Sequence, residues 1–161
     1  DSEGAHNPPI LHYSPSGGIE RVMAALLEKT ADMDTPQLPT WLSPTQVRFI
    51  PVNPEEHVEY CDDLADTLEA ADVRVDIDER DESVGKRIAG AETDWVPYYV
   101  VVGNDEIESD RMGVNVRIDG EERDMTLAEL EATVSEDVAN LPQRSRYLPR
   151  YVSKHPTFTG G

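Results

Sequence analysis

Two apolar runs, VRVDID at residues 73–78 and YYVVVG at residues 98–103, bracket a charged turn and a short segment opened by Ser83-Val84-Gly85. Strands separated by one helix of this length form a βαβ unit, and its two strands must run parallel. On such sheets ligands sit outside the carboxyl ends of the strands. Charged and polar side chains gather at that edge: Arg80, Asp81 and Glu82 after the first run, Asn104, Asp105 and Glu106 after the second.

The rest of the chain extends this unit. VRFIPV at residues 47–52 is a first strand, and Asn53-Pro54-Glu55-Glu56 opens a helix reaching residue 71 whose stripe is Val58, Cys61, Leu64, Ala65 and Leu68. A fourth strand is expected at 114–118, a hairpin turn at Asp119-Gly120, and a weak fifth strand at 123–125. Thr126 with Glu129 is a capping-box pattern, and the helix it opens runs to residue 141. The expected architecture is α/β, a mixed five-stranded sheet flanked by helices.

Upstream, residues 1–9 read as irregular and residues 10–13 as a short strand broken at Pro15-Ser16-Gly17-Gly18. A helix over 18–33 places Ile19, Val22, Met23, Leu26 and Leu27 on one face. The division is a stub over 1–34, a proline-rich linker over 35–44, a domain over 45–142 and a tail over 143–161. No acid follows Asp137, and the tail interleaves Arg144, Arg146, Arg150, Lys154 and His155 with Tyr147, Tyr151 and Phe158. Such a pattern grips RNA or wraps the acidic body of its own domain.

The net charge is −19, with 33 acids against 14 basic residues, and Lys29, Lys86 and Lys154 are the only lysines. The acidity is spread along the chain, which suits a solvated surface in a very salty cytoplasm better than one patch for a basic partner. It argues against bulk attraction to phosphates but leaves specific RNA contacts open. The single cysteine, Cys61, reads as a plain buried residue. No apolar run approaches a membrane span and no signal-peptide pattern opens the chain, so no membrane is expected and the default location is cytoplasmic.

Two sets of residues carry a family resemblance. PPILHYSPSGGIERVMAALLE (8–28) resembles the third motif of class II aminoacyl-tRNA synthetases. LPTWLSPTQVRFIPV (38–52), VRVDIDERDESVGKRI (73–88) and VPYYVVVGNDEIES (96–109) resemble the C-terminal anticodon-binding domain of threonine-specific synthetases, here of an archaeal, salt-adapted type. The resemblance covers residues 8–141 and leaves the tail outside. It implies the class II anticodon-binding fold behind a stub of the catalytic domain. It also implies that Arg21 meets ATP and that His12 is one zinc ligand, both only in the full-length enzyme, which uses zinc, ATP and magnesium. The fragment alone is expected to hold no cofactor and to be inactive.

The implied partners are the threonine tRNA anticodon loop and the rest of the synthetase, with the full-length enzyme a homodimer. Threonine codons place G and U in the anticodon, and a carboxylate can accept from both N1–H and N2–H of guanine, an edge that loop bases expose. The resemblance puts anticodon contacts at Glu106, Arg117 and Asp81. Ala89 stands where bacterial relatives have arginine, and Lys86 or Arg87 is the expected substitute charge; Arg80, at the same edge, is a further candidate for anticodon contact. Two other readings remain: a non-catalytic α/β interaction or accessory module, and part of a split or editing-only relative.

Overall fold

The computed structural model describes residues 10–14 and 17–157. Three expectations fall outside them: an irregular run over 1–9, the break at Pro15-Ser16 and the placement of Phe158. The chain divides into two units, residues 1–32 and 33–161.

In the first unit one helix, α1 (Ile19–Ala31), starts after Gly18, with Glu20 in its first turn and Lys29 in its last. Both charges complement the helix dipole. Ile19, Val22, Met23 and Leu27 are exposed. Residues 10–14 carry no strand. A strand exists only through its pairing partner, and the described part of this unit offers none.

The second unit holds the elements β1 (Val47–Pro51), α2 (Pro54–Ala70), β2 (Val75–Ile77), α3 (Val84–Thr93), β3 (Tyr98–Val102), α4 (Asn104–Glu108), β4 (Met112–Val116), β5 (Glu121–Met125) and α5 (Leu127–Asp137). The strand order is β2-β1-β3-β4-β5. β2 and β3 both pair in parallel with β1, while β4 and β5 continue the sheet antiparallel. The expected βαβ unit is therefore present, with β1 lying between its two strands.

Alternation along the strands builds two cores. Val47, Phe49, Tyr98, Val100, Val114 and Val116 pack with Cys61, Leu64, Leu68, Leu130 and Val134 of α2 and α5. Ile50 and Tyr99 face the other way, onto Ala91 and Ile88 of α3. β1 is buried along its whole length, but on β4 only Met112, Val114 and Val116 are buried, and β5 is mostly exposed. One sheet face is thus covered as far as β4, the other is only half-buried over β4, and β5 is mostly exposed on both faces.

Charge also enters the interior. Arg48 forms a buried two-pronged bond to Asp76 at 2.8 and 2.9 Å and reaches Asp94 at 2.8 Å. Burial opposes its charge, but these carboxylates outweigh burial and raise its pKa.

The tail closes the sheet edge. The Ile77 amide donates to the Arg150 carbonyl at 2.8 Å, and Tyr151 bridges Ile77 in parallel. Arg150 meets Asp62, Asp66 and Glu69 at 3.0, 2.6 and 2.6 Å, Arg146 meets Glu69 at 2.6 Å, and Tyr151 donates to Asp62 at 2.6 Å. Of the two readings of the tail, wrapping the acidic body is the one observed for these side chains. No helix among the described residues is long and apolar enough to cross a membrane.

Candidate nucleic-acid interface

β1 leads through α2 to β2 on one side, and β2 leads back through α3, on the opposite face, to β3 on the other side. The direction of winding reverses between β1 and β3, which opens a crevice outside their carboxyl ends. Its rim is Val52, 47% exposed, with Asn53, Gly103, Asn104 and Glu106. His57 supports it from α2. Its Nδ1 accepts from the Asn53 amide at 3.2 Å, so Nε2 is assigned as the donor to Asn104 Oδ1 at 3.1 Å.

Glu106 caps its own short helix: Oε2 accepts from the Gly103 amide at 2.9 Å. Its other oxygen is not held by that bond. Asp81 is exposed beside α3, and Lys86, exposed on α3, pairs with Glu82 at 2.6 Å. Arg80 grips the fully buried Asp78 at 2.6 and 2.7 Å and lies 3.7 Å from Glu82. Asp78 bonding comes first among the causes that raise the Arg80 pKa.

Arg87 requires a correction. It is 1% exposed, and its guanidinium donates to the carbonyls of Pro51, Asp78 and Val52 at 2.6, 2.9 and 3.3 Å. Its Nε has no hydrogen-bond partner among the described residues. Instead of offering a replacement charge to RNA, it ties together the carboxyl ends of β1 and β2 beneath the rim.

Arg117 requires another. Its amide donates to the Pro97 carbonyl at 3.0 Å, beside the amino end of β3, whereas Glu106 lies past the carboxyl end. The five residues of β3 alone put about 13 Å between those ends. The two side chains therefore do not share a rim. The Arg117 side chain is 8% exposed, pairs closely with Glu92, and donates to the Pro36 carbonyl at 3.1 Å.

Two residues that the sequence reading did not single out lie on the half-buried face of β4. Gly113 and Asn115 alternate with the buried residues of β4 and point away from α2 and α5. Asn115 stands opposite Tyr99 on β3 and Glu122 on β5. A Cβ at Gly113 would lie 3.0 Å from the Glu122 carboxyl carbon, so the glycine makes room for that side chain. Burial pushes the Tyr99 hydroxyl up to about 12, followed by the charge of Glu92 and a bond to it. The small-polar alternation in MGVNV was the available signal, and it was hidden by starting that strand at residue 114.

In the first unit Arg21 is exposed and lies close to Gly17, whose φ is +71° and whose Cβ would sit 3.7 Å from Arg21 Cδ. His12 is also exposed. Among the described residues no three His, Cys, Asp or Glu side chains cluster as a metal site. One histidine does not fit a zinc centre, which needs at least three protein ligands.

A family model described as "Anticodon binding domain" matches residues 46–137. Over 95% of its length the chain is 48% identical to the threonine–tRNA ligase of Methanobrevibacter smithii, of which it covers 26%. It is 48% identical to the threonine–tRNA ligase of Pyrococcus horikoshii, again over 95% of this chain and 25% of the relative. The chain thus spans about a quarter of these relatives, and the similarity takes in much of the tail that the sequence reading left outside. In fold it resembles a prolyl-tRNA synthetase from Cryptosporidium parvum, solved with L-proline and AMP, with a TM-score of 0.64 and 29% identity over 72% of this chain and 25% of that one. With its mixed sheet and its switch-point crevice inside the matched segment, this chain belongs to the family of synthetase anticodon-binding domains.

Proposed function

We propose that this chain is the anticodon-recognising part of a threonine–tRNA ligase, and that it supports ATP-dependent threonylation carried out by the remainder of that enzyme. The observation that carries the reading is the crevice at the β1–β3 switch point, bordered by Glu106, in a chain 48% identical to threonine–tRNA ligases over 95% of its length.

In this reading the Glu106 carboxylate accepts from N1–H and N2–H of the anticodon guanine. One oxygen already holds the Gly103 amide, so the carboxylate is oriented before RNA arrives. Asp81, Arg80 and Lys86 border the same end of the sheet and meet neighbouring nucleotides. Asn115, which has both donor and acceptor atoms, reads a further base edge on the half-buried face of β4. Arg87 and Arg117 shape the surface from beneath and do not touch bases.

The threonine tRNA and the rest of the synthetase are the partners, and the full-length enzyme is a dimer. The proposed setting is the cytoplasm. Arg21 would contact ATP with its magnesium, and His12 would supply one zinc ligand, only when the remaining ligands come from elsewhere in the enzyme.

The test is binding of this chain to threonine tRNA transcripts with and without the anticodon G, at low and at molar salt. Loss of binding on changing that base supports the reading. Equal affinity for both transcripts would leave an accessory module without anticodon selectivity.

A further inference from the structure

The basic, aromatic tail is only partly committed to the fold. Arg146 and Arg150 are held by carboxylates of α2. Arg144 and Tyr147 are not. Both are exposed, Tyr147 at 69%, and the Arg144 guanidinium has no ion pair or hydrogen bond among the described residues. Seven arginines of the chain pair with carboxylates, and Arg144 is not among them.

These two residues, with Trp41 and Arg74, line an open cavity of about 180 Å³, and no carboxylate is among the described residues around it. Arg74 is 3% exposed. Its donors reach the carbonyls of Thr40, Trp41, Ser43 and Arg144 at 2.9–3.3 Å, and it has no carboxylate partner among the described residues. Its charge therefore lacks a counter-ion, and a buried cation in that position attracts an anion. The Arg74 carbonyl accepts from the Gln46 amide just ahead of β1. The cavity thus lies toward the amino ends of β1 and β2, away from the crevice that holds Glu106.

We propose that this cavity is a second nucleotide-binding site, with an unstacked base against Trp41 and Tyr147 and the phosphate on Arg144. Aromatic rings beside arginines hold unstacked nucleotides in this way. The cavity is smaller than the roughly 300 Å³ at which drug-sized pockets begin, so it admits a base while ribose and phosphate stay outside, where Arg144 is. The nucleotide could be free or part of an RNA strand.

The experiment follows the Trp41 indole N–H by NMR as AMP and, separately, hexa-adenylate are added to the wild-type chain. Trp95→Phe assigns which of the two indole signals is Trp41. The expected result is a saturable shift of Trp41. It should weaken at least about tenfold in Arg144→Glu and in Tyr147→Ala, both exposed positions, and should be unchanged in Arg111→Glu, just before β4 and toward the carboxyl end of β3. Tighter binding of hexa-adenylate than of AMP identifies an RNA strand as the source, and equal binding identifies a free nucleotide. No saturable shift with either probe, or an equal shift in Arg144→Glu, overturns the proposal. Neither probe carries the threonine anticodon, so such a failure leaves the anticodon reading standing.

Discussion

Arg87 shows how one residue can change roles between sequence and structure. In the string GKRI it reads as a surface cation. Yet it stands three residues after Val84 and four before Ala91, on the stripe that α3 buries. Substitution with Met removes the donor from three carbonyls, and each acceptor left unsatisfied costs about 1–3 kcal/mol. Removing an isolated buried charge offsets part of this. The expected net loss is at least about 2 kcal/mol in urea unfolding, combining those two ranges. Arg87→Lys separates the roles. A lysine keeps the charge a phosphate would need but lacks the planar fork that spans three carbonyls. If Lys is nearly as destabilising as Met, Arg87 is an internal tie. If Lys retains full stability, the carbonyl bonds carry little. Glu106 was legible for a different reason. It follows a strand whose carboxyl end is marked by Gly103, and topology alone puts it at the rim. The pairing of Arg117 with Glu92 was not legible, because it depends on which end of β3 receives the end of β4.

At the scale of elements, what the sequence made readable follows the strength of the local pattern. β1, β3, α2 and α5 carry apolar periodicity, and the buried residues of α2 match its expected stripe except that His57 is buried where Val58 is only partly covered. The helix over 127–141 ends earlier, at Asp137. α4 escaped notice because NDEIE is five residues without a repeating apolar face. β5 was underrated because EERDM has one apolar residue and gains its strand character from pairing with β4. The tail is the clearest case of tertiary control. Arg146 and Arg150 are placed by acids on α2 about eighty residues away in sequence, and no local rule reaches that far. Its role can be measured. Truncation after Leu141 uncovers the edge of β2 and leaves Asp62, Asp66 and Glu69 to repel one another, so the shortened chain should unfold at lower urea and aggregate through the bare edge. Arg150→Ala alone should reproduce most of the stability loss. Light scattering with urea titration distinguishes that outcome from a tail that merely lies on the surface, for which both changes would be silent.

Two scales meet in the response to alkali. Burial, followed by the nearby charge of Asp62, pushes the Cys61 thiol up to about 12 from its ordinary 9.0. Tyr99 moves to about 12 from 10.0. Both groups are neutral when protonated, so in this window the folded state binds protons that the unfolded chain has released. Stability from these groups is complete below pH 9 and declines as pH rises toward 12. The melting temperature should fall across that interval. Tyr99→Phe and Cys61→Ala should each flatten the decline, even if they lower the melting temperature at neutral pH. An unchanged slope in both variants would place the alkaline sensitivity elsewhere.

The charge of the whole molecule sets the sign of its salt response toward RNA. Proteins that grip phosphates with Lys and Arg lose affinity steeply as salt rises, because displaced counterions drive binding. This chain carries a net −19, and the cations near the crevice are already paired: Arg80 with Asp78, Lys86 with Glu82. At about 0.01 M salt the Debye length of about 30 Å lets the whole acidic surface oppose the RNA, whereas at about 1 M it shrinks to about 3 Å. What survives screening is contact at hydrogen-bonding range, such as the bond proposed between a Glu106 oxygen and the guanine edge. Affinity for the threonine anticodon stem-loop is therefore expected to rise with salt and then level off, the reverse of the usual trend. Selectivity for the anticodon guanine should persist at about 1 M, where long-range attraction is removed. Isothermal titration at three salt concentrations, with the native loop and with the guanine replaced, measures both quantities. A steep fall of affinity with salt would show that phosphate contacts, and not the acid-lined crevice, hold the RNA.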